Sequence, residues 1–205
     1  SGGAAPSRVW QDTHGRMAEA FRSLAASVAL LPRKQGGNGL TVLVTSSEAG
    51  EGKSTVAANL SVAFARTGKS TCLIDLDLRK GRQHRIWSLS RGPGGGDILA
   101  ELTSGDAEDV DQLIRPVVRV VQDGVSAITI GSRVPDSFAL LADRGLETLV
   151  EWSRRSFDVT ILDTPPAFVP ETVTLASRAD ILLVVCRLRL VLRRSLRGAL
   201  SVLGK

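Results

Sequence analysis

The sequence predicts an α/β fold in which a mostly parallel β-sheet carries helices on both faces. Apolar, β-branched runs alternate along the chain with segments of helical hydrophobic spacing, a pattern typical of parallel sheets that are covered on both sides. We expect strands from residue 40 and at 71–77, 117–122, 125–130, 159–163 and 181–186. We expect helices at 17–31, 54–66, 97–102, 140–154 and 190–203. Ligands of such sheets bind beyond the carboxyl ends of the strands.

The first of these strands leads into a phosphate-binding loop, or P-loop. Residues 40–65 read LTVLVTSSEAGEGKSTVAANLSVAFA, which is a strand, a glycine-rich turn and a helix. We expect Lys53 to reach the β- and γ-phosphates of a nucleotide and the Ser54 hydroxyl to bind Mg²⁺, beside the partial positive charge of the helix N-terminus. Ser47 stands where the motif usually has glycine or alanine. The bare G-K-S triplet would therefore also fit an ordinary turn with a solvated lysine.

Two more strand ends carry acidic side chains. TCLIDLDLR at 71–79 places Asp75, Asp77 and Arg79 at alternate positions, and hence on one side of an extended chain. VTILDTPP at 159–166 brings Asp163 to the end of an apolar strand, which is the Walker B arrangement for an aspartate near Mg²⁺. Either segment alone would also fit a polar turn. Together with the P-loop they predict phosphohydrolase or phosphotransferase chemistry.

Composition narrows the class of protein. The chain has 205 residues, 43% apolar and 23% charged, which suits one globular domain without a membrane-length apolar run. Cys72 and Cys186 lie in apolar runs without metal-site spacing, so we expect reduced core thiols of a cytosolic domain. Nucleic-acid binding is not supported, because only 4% of the residues are aromatic.

Part of the net charge of +5 comes from one late segment, which is either a solvated helix face or a surface for anionic lipid or phosphate. Its basic residues are Arg187, Arg189, Arg193, Arg194 and Arg197.

The three motifs together resemble those of the bacterial tyrosine kinases of the polysaccharide co-polymerase system. That family carries TSxxPGEGKST, an apolar run before D-x-D-x-R and another before D-x-P-P, which read here TSSEAGEGKST, LIDLDLR and ILDTPP. The segments GGDILAELTSGDAEDV and GSRVPDSFALL are also similar to family segments, although Ala139 replaces a glutamate. Partition and cell-division ATPases of the same broad class carry a signature lysine at the position of Glu48, and they are the alternative.

The resemblance implies an ATP-dependent protein tyrosine kinase that regulates capsular or exopolysaccharide biosynthesis and export, with ATP or ADP and Mg²⁺ as cofactors. The nucleotide-binding residues would be Ala49, Gly50, Glu51, Gly52, Lys53, Ser54, Thr55 and Arg79. The catalytic residues would be Lys53, Asp75, Asp77 and Asp163, and the metal-binding residues Ser54, Asp77 and Asp163. The division of work between Asp75 and Asp77 stays open. Arg79 would stabilise transition-state charge, contact another subunit, or pair with Asp75 or Asp77.

The resemblance also implies partners and a location. The expected partners are a membrane-spanning co-polymerase part, fused or separate, other copies of the chain in a homo-oligomer, and a counteracting tyrosine phosphatase. The expected location is cytoplasmic, at the inner face of the bacterial membrane.

The departures from the family limit these expectations. Many members autophosphorylate on a C-terminal tyrosine cluster, whereas this chain contains no tyrosine, so the acceptors must lie outside it.

We expect an amphipathic helix and linker at 1–39 and a kinase or ATPase domain at 40–205, truncated at its C-terminus. The helix matches the E-x-x-R-x-x-R oligomerisation motif at Glu19 and Arg22, but Ala25 replaces the second arginine, and a helix packed on its own domain is the alternative. A nucleotide-switch ATPase and a non-hydrolysing scaffold also stay open.

Overall fold

The computed structural model describes residues 15–33, 39–105, 109–122, 124–132, 134, 136–142, 144–187 and 193–203. The strands are β1 (Leu40–Ser46), β2 (Thr71–Asp75), β3 (Arg119–Gln122), β4 (Val125–Ile128), β5 (Val159–Asp163) and β6 (Ile181–Val185). The helices are α1 (Arg16–Ala29), α2 (Lys53–Ala65), α3 (Gln83–Ile86), α4 (Gly95–Ser104), α5 (Val110–Ile114), α6 (Ser137–Ala142), α7 (Arg144–Ser156), α8 (Pro170–Ala176) and α9 (Arg193–Leu203).

One mixed sheet holds the six strands in the order β3-β4-β2-β5-β1-β6. All neighbouring pairs are parallel except β3 and β4, which form an antiparallel pair at one edge. Strands β1, β2 and β5 are buried along their whole length, which explains why they read as continuous apolar runs. The predicted α/β class with a mostly parallel sheet is confirmed.

Alternate side chains of the central strands enter two separate cores. Val42 and Val44 of β1 pack in a cluster with residues of α1 and α2, whereas Leu43 packs in a second cluster with residues of α4 and α7. This alternation is the two-residue period of a strand. The helices therefore cover both faces, as predicted, and leave the carboxyl ends of the strands for a site.

Several predicted boundaries were wrong. Strand β2 ends at Asp75 instead of residue 77, β4 ends at Ile128 instead of 130, and a 3-10 turn precedes β3 where we expected the strand to have begun. The short helices α3, α5 and α8 were not predicted, because four to seven residues span too few turns to show a hydrophobic period. Residues 188–192, which include Arg189 and the start of the predicted last helix, lie outside the described part.

Helix α1 packs on the domain it precedes. Ala18, Ala25 and Val28 are buried, and Ala25 and Val28 belong to the same core as α2. Glu19 and Arg22 form an ion pair on the helix surface. The structure thus bears out the packing alternative, while oligomerisation through this helix stays a prediction. Among the helices that the structure describes, none has both the length and the apolar character needed to cross a bilayer.

Candidate functional site

Three neighbouring strands end at one edge of the sheet and bring the predicted site residues together. Strand β5 lies between β1 and β2. Asp75, the last residue of β2, is the register partner of Asp163, the last residue of β5. Val44 of β1 pairs with the same Asp163, so the loop that follows β1 starts beside both acids.

The Glu51 carboxylate stabilises the loop between β1 and α2 through hydrogen bonds. Glu51 accepts hydrogen bonds from the Ser47 hydroxyl at 2.9 Å and from the Glu48 backbone N–H at 2.7 Å. Gly50 and Gly52 have φ angles of 90° and 99°, in the left-handed region that favours glycine. Ser47, which departs from the usual motif, therefore stabilises the loop through its side chain.

Lys53 begins α2, and its ammonium group lies between two carboxylates. Its Nζ is 2.8 Å from Asp77 Oδ2 and 3.7 Å from Asp163 Oδ1. Burial lowers the pKa of Lys53, but the charges of Asp163 and Asp77 outweigh it and raise that pKa above its ordinary value, so the group stays charged. The alternative of a solvated lysine is wrong, because the Lys53 side chain is 11% exposed.

Asp75 and Asp163 are fully buried acids on neighbouring strands. Asp75 accepts hydrogen bonds from the backbone N–H groups of Gln83 at 2.9 Å and Asp77 at 3.3 Å. Burial and the nearby charge of Asp163 raise the pKa of Asp75 well above its ordinary value. Burial also raises the pKa of Asp163, although the charge of Lys53 lowers it. The acids outnumber the lysine, so this edge attracts further cations.

The oxygen donors at this edge suit Mg²⁺. Asp163 Oδ1 is buried and makes no hydrogen bond, and the Ser54 side chain, at the start of α2, is close enough to the Asp163 carboxylate to lower its pKa. Mg²⁺ prefers oxygen ligands and commonly takes one or two carboxylates together with substrate phosphates. Both oxygens of Asp77 already accept hydrogen bonds, from Lys53 and from the backbone N–H of Lys80. With Lys53 in this position, Asp163 and Ser54 are the better candidates to hold the ion, and a metal-binding role of Asp77 stays a prediction. In the described part of the chain, no group of three or more His, Cys, Asp or Glu side chains is arranged to hold a metal.

Arg79 does not join this group of side chains. Because β2 ends at Asp75, residues 76–80 turn away from the extended path that would have kept Asp75, Asp77 and Arg79 on one side. The Arg79 Nε donates to the Ser137 hydroxyl at 3.2 Å and lies 3.5 Å from Glu171 Oε1. The pairing of Arg79 with Asp75 or Asp77 is thus wrong. Its role toward nucleotide stays a prediction.

Two residues of this region carry no sequence signal. Gln83 donates from Nε2 to Asp163 Oδ2 at 2.8 Å and to the Ser54 carbonyl at 3.0 Å. Glu171, on α8, is 2% exposed and accepts a hydrogen bond from the Ser137 hydroxyl at 2.7 Å. Ser137 in turn accepts from Arg79, so Glu171 orients Arg79 through Ser137. Neither residue belongs to a motif, and each meets its partners only through the tertiary fold.

One known protein family matches the part of the chain that carries the site. The sequence model of the family described as "ParA: NUBPL iron-transfer P-loop NTPase" matches residues 39–187, which contain the whole site. The chain belongs to the ParA-type P-loop NTPase family. Membership in this family implies nucleotide binding, and the iron transfer in the description is a property of the proteins for which that model is named.

Within this ParA-type family, several relatives by sequence are named tyrosine kinases, as the motif resemblance predicted. The chain is 35% identical over 82% of its length to EpsB of Ralstonia solanacearum, named as a tyrosine-protein kinase. It is 32% identical over 72% of its length to a Klebsiella pneumoniae protein named as a tyrosine-protein kinase in the cps region. It spans 21% and 19% of the length of these two relatives.

A solved structure of a tyrosine kinase domain has a similar fold. The kinase domain of the Escherichia coli tyrosine kinase ETK superposes with a TM-score of 0.77 at 26% identity, over 91% of this chain and 69% of that one. The ParA-type domain described above therefore has the fold of a bacterial tyrosine kinase domain.

Proposed function

We propose that this domain is an ATP-dependent protein tyrosine kinase whose acceptor tyrosines lie outside the chain, which itself contains none. The observation that carries the proposal is the position of Lys53, at the start of α2 and between Asp77 and Asp163. A charged lysine there lies beside the phosphates that a P-loop binds. The kinase names of the relatives support the reaction, and the cps-region relative supports a role in capsular or exopolysaccharide biosynthesis and export.

The side chains of the site would act by positioning and by stabilising charge, because phosphoryl transfer asks little covalent chemistry of the protein. Lys53 would exchange its contact with Asp77 for phosphate oxygens and neutralise the charge that develops on them. Asp77 would then be free to orient the acceptor hydroxyl and take its proton late, since a tyrosine has a pKa of about 10. Mg²⁺ bound by Asp163 and Ser54 would neutralise charge on the transferred phosphate.

Asp75 would have a supporting role in this division of work. It is fully buried, and its two oxygens accept hydrogen bonds from the backbone N–H groups of Asp77 and Gln83. It therefore fixes the loop that carries Asp77. Its raised pKa also makes it a poor anion to face the phosphates.

A nucleotide-switch ATPase is the second candidate, and one contact favours it. The Ser195 hydroxyl of α9 donates to Glu48 Oε1 at 3.0 Å, so the P-loop is linked directly to the last described helix. Such a link would let the nucleotide state of the loop move α9. Against this candidate, Glu48 occupies the position of the signature lysine of partition and cell-division ATPases.

A labelling assay separates the two functions. The purified domain is incubated with γ-labelled ATP, Mg²⁺ and a random copolymer of glutamate and tyrosine, and label on tyrosine is measured beside free phosphate. The kinase should label this copolymer but not one without tyrosine. Lys53→Met should reduce transfer by about 1,000-fold, because it removes a charge that stabilises the transition state. Lys69→Met, at an exposed lysine after α2, is the matched control and should keep full activity.

Other outcomes of this assay would contradict the kinase. Steady release of phosphate without label on tyrosine would favour the switch ATPase. If neither product exceeds that of the Lys53→Met variant, the domain is a scaffold that binds nucleotide without turnover.

We further propose that the domain works at the cytoplasmic face of the bacterial membrane as a homo-oligomer. It would act with a membrane-spanning co-polymerase part and against a tyrosine phosphatase. The resemblance supports these partners, and exposed Arg193, Arg194 and Arg197 on α9 offer a basic surface toward anionic lipid. Expression of the full reading frame, followed by membrane fractionation and sedimentation analysis, tests the location and the assembly. Recovery as a monomer in the soluble fraction would contradict both.

A further inference from the structure

The side-chain amide of Gln83 lies at the centre of the site although no motif includes it. Its Nε2 donates to Asp163 Oδ2 at 2.8 Å and to the Ser54 backbone carbonyl at 3.0 Å. Its backbone N–H donates to Asp75 Oδ2 at 2.9 Å. The residue is 0% exposed. One glutamine therefore joins the ends of β2 and β5 to the first turn of α2.

The chemistry of the neighbours determines how this amide is oriented. A carboxylate oxygen and a backbone carbonyl both accept hydrogen bonds, so the NH₂ group of Gln83 must face them and supplies one hydrogen to each. The Asp163 carboxylate is consequently held through Oδ2. Its Oδ1 makes no hydrogen bond and lies 3.7 Å from Lys53 Nζ, on the side of the P-loop lysine.

We infer that Gln83 is a positioning residue that holds Asp163 so that Oδ1 is available to Mg²⁺. Partners that orient a metal-binding carboxylate from outside commonly change metal affinity by about 10- to 100-fold when they are removed. The inference rests on the nucleotide and Mg²⁺ part of the proposed function and not on transfer to tyrosine.

A neutral amide suits this position better than a charged side chain would. Asp75 and Asp163 are register partners on adjacent strands, and both are fully buried. A glutamate at position 83 would add a third acid to this pair, and a lysine would compete with Lys53 for the same carboxylates. The glutamine side chain donates a hydrogen bond to Asp163 without changing the charge of the site.

Titration of ADP into the full 205-residue chain, with and without Mg²⁺, tests the role of Gln83. Gln83→Leu keeps the approximate size but removes both donors. We expect ADP affinity without Mg²⁺ to stay within about twofold of the wild type, and the Mg²⁺ concentration for half-maximal enhancement of ADP binding to rise at least about tenfold. Asn59→Leu is the matched control, because Asn59 is also buried and donates to a carbonyl of α2, but contacts no acid of the site.

An unchanged Mg²⁺ requirement in Gln83→Leu would overturn the role of Gln83 alone. If the ADP affinity of the wild type does not depend on Mg²⁺, the proposed Mg²⁺ site itself is overturned. A second measurement needs no substitution and holds even if Gln83→Leu does not fold. In the wild-type ADP complex, Mg²⁺ should shift the side-chain ¹⁵N–H₂ resonance of Gln83 and leave that of Asn59 in place. A Gln83 resonance that does not move would overturn the inference.

Discussion

Two buried groups of charged side chains lie at opposite ends of the parallel strands, and they differ in the ratio of positive to negative charges. Near the amino ends of β1 and β6, Asp180 Oδ2 accepts a hydrogen bond from the Thr41 backbone N–H at 2.8 Å and forms an ion pair with Arg154, whose Nη2 lies 3.0 Å away. Arg154 also lies 3.4 Å from the carbonyls of Gly39 and Arg178. One cation there meets one anion, so the pair carries no net charge, although Arg154 Nε makes no hydrogen bond within the described part of the chain.

At the carboxyl edge the charges are not balanced. Lys53 faces Asp77 and Asp163, Asp75 lies behind them, and Asp163 Oδ1 makes no hydrogen bond. Removing charges from water is costly unless partners replace the water, and this cost raises the pKa values of the buried Asp75 and Asp163. We therefore expect a structural role for the balanced pair, whereas the unbalanced cluster is the proposed site for Mg²⁺ and phosphate.

The largest effect should follow from breaking the balanced pair. Arg154→Met keeps most of the volume but leaves the buried Asp180 without its cation, so we expect the free energy of unfolding to fall by about 3–5 kcal/mol. ADP affinity should not change, because the pair lies at the far edge of the sheet. Urea unfolding and ADP titration measure the two effects.

The matched double variant sharpens this result. In Arg154→Met with Asp180→Asn no buried charge is left without a partner, so most of the lost stability should return. Lys53→Met should instead lower phosphoryl transfer by about 1,000-fold. An Arg154→Met protein as stable as the wild type would contradict the structural role of the pair.

The second effect concerns the acid that lies behind the unbalanced cluster. Folding raises the pKa of Asp75, so the folded state binds this proton more tightly than the unfolded state does. The ionised form therefore opposes folding above the raised pKa, and this penalty disappears as the pH falls toward the unfolded value of about 4. Asp75→Asn should stabilise the protein at pH 7 on the order of 1 kcal/mol, and the gain over the wild type should shrink as the pH falls.

Urea unfolding of both proteins at several pH values between 5 and 8 measures this difference. Asparagine can still accept the hydrogen bond from the Gln83 backbone N–H but not the longer one from the Asp77 N–H, so the pH dependence of the difference isolates the effect of the charge. A gain that does not depend on pH would show that Asp75 is not the source of the penalty.

The three strand ends could be predicted from the sequence because their residues follow the backbone register. Once β1, β2 and β5 are parallel neighbours, Lys53, Asp75 and Asp163 must meet at one edge. The kinase resemblance could likewise be found, because the motifs are short and continuous.

Other parts depend on contacts that no local pattern shows. Gln83 lies on a helix of four residues, too short for a hydrophobic period, and its partner Asp163 is 80 residues away. Glu171 meets Arg79 only because α6 and α8 pack together beside the loop after β2. The predicted position of Arg79 was wrong because side chains alternate between the two faces only within a strand, and β2 ends at Asp75.

A smaller effect tests Arg79, which lies outside the unbalanced cluster. Its side chain is 61% exposed and pairs with Glu171 outside the cluster, so Arg79→Ala should change ADP affinity by less than about twofold. Lys80→Ala, at the next residue, is the matched exposed control. A tenfold loss of ADP affinity in Arg79→Ala alone would return Arg79 to the nucleotide site, as the sequence predicted.

The smallest effect concerns the loop that borders the cluster. Ser47→Ala removes one of the two hydrogen bonds that Glu51 accepts within the loop, and the backbone N–H of Glu48 still supplies the other. One such bond contributes about 1 kcal/mol, so ADP affinity with Mg²⁺ should fall by roughly three- to fivefold in calorimetric titration. Ser27→Ala, at an exposed serine of α1, is the control. If Ser47→Ala binds as tightly as the wild type, the loop is held by its glycines and backbone alone, and the serine at this position is only tolerated.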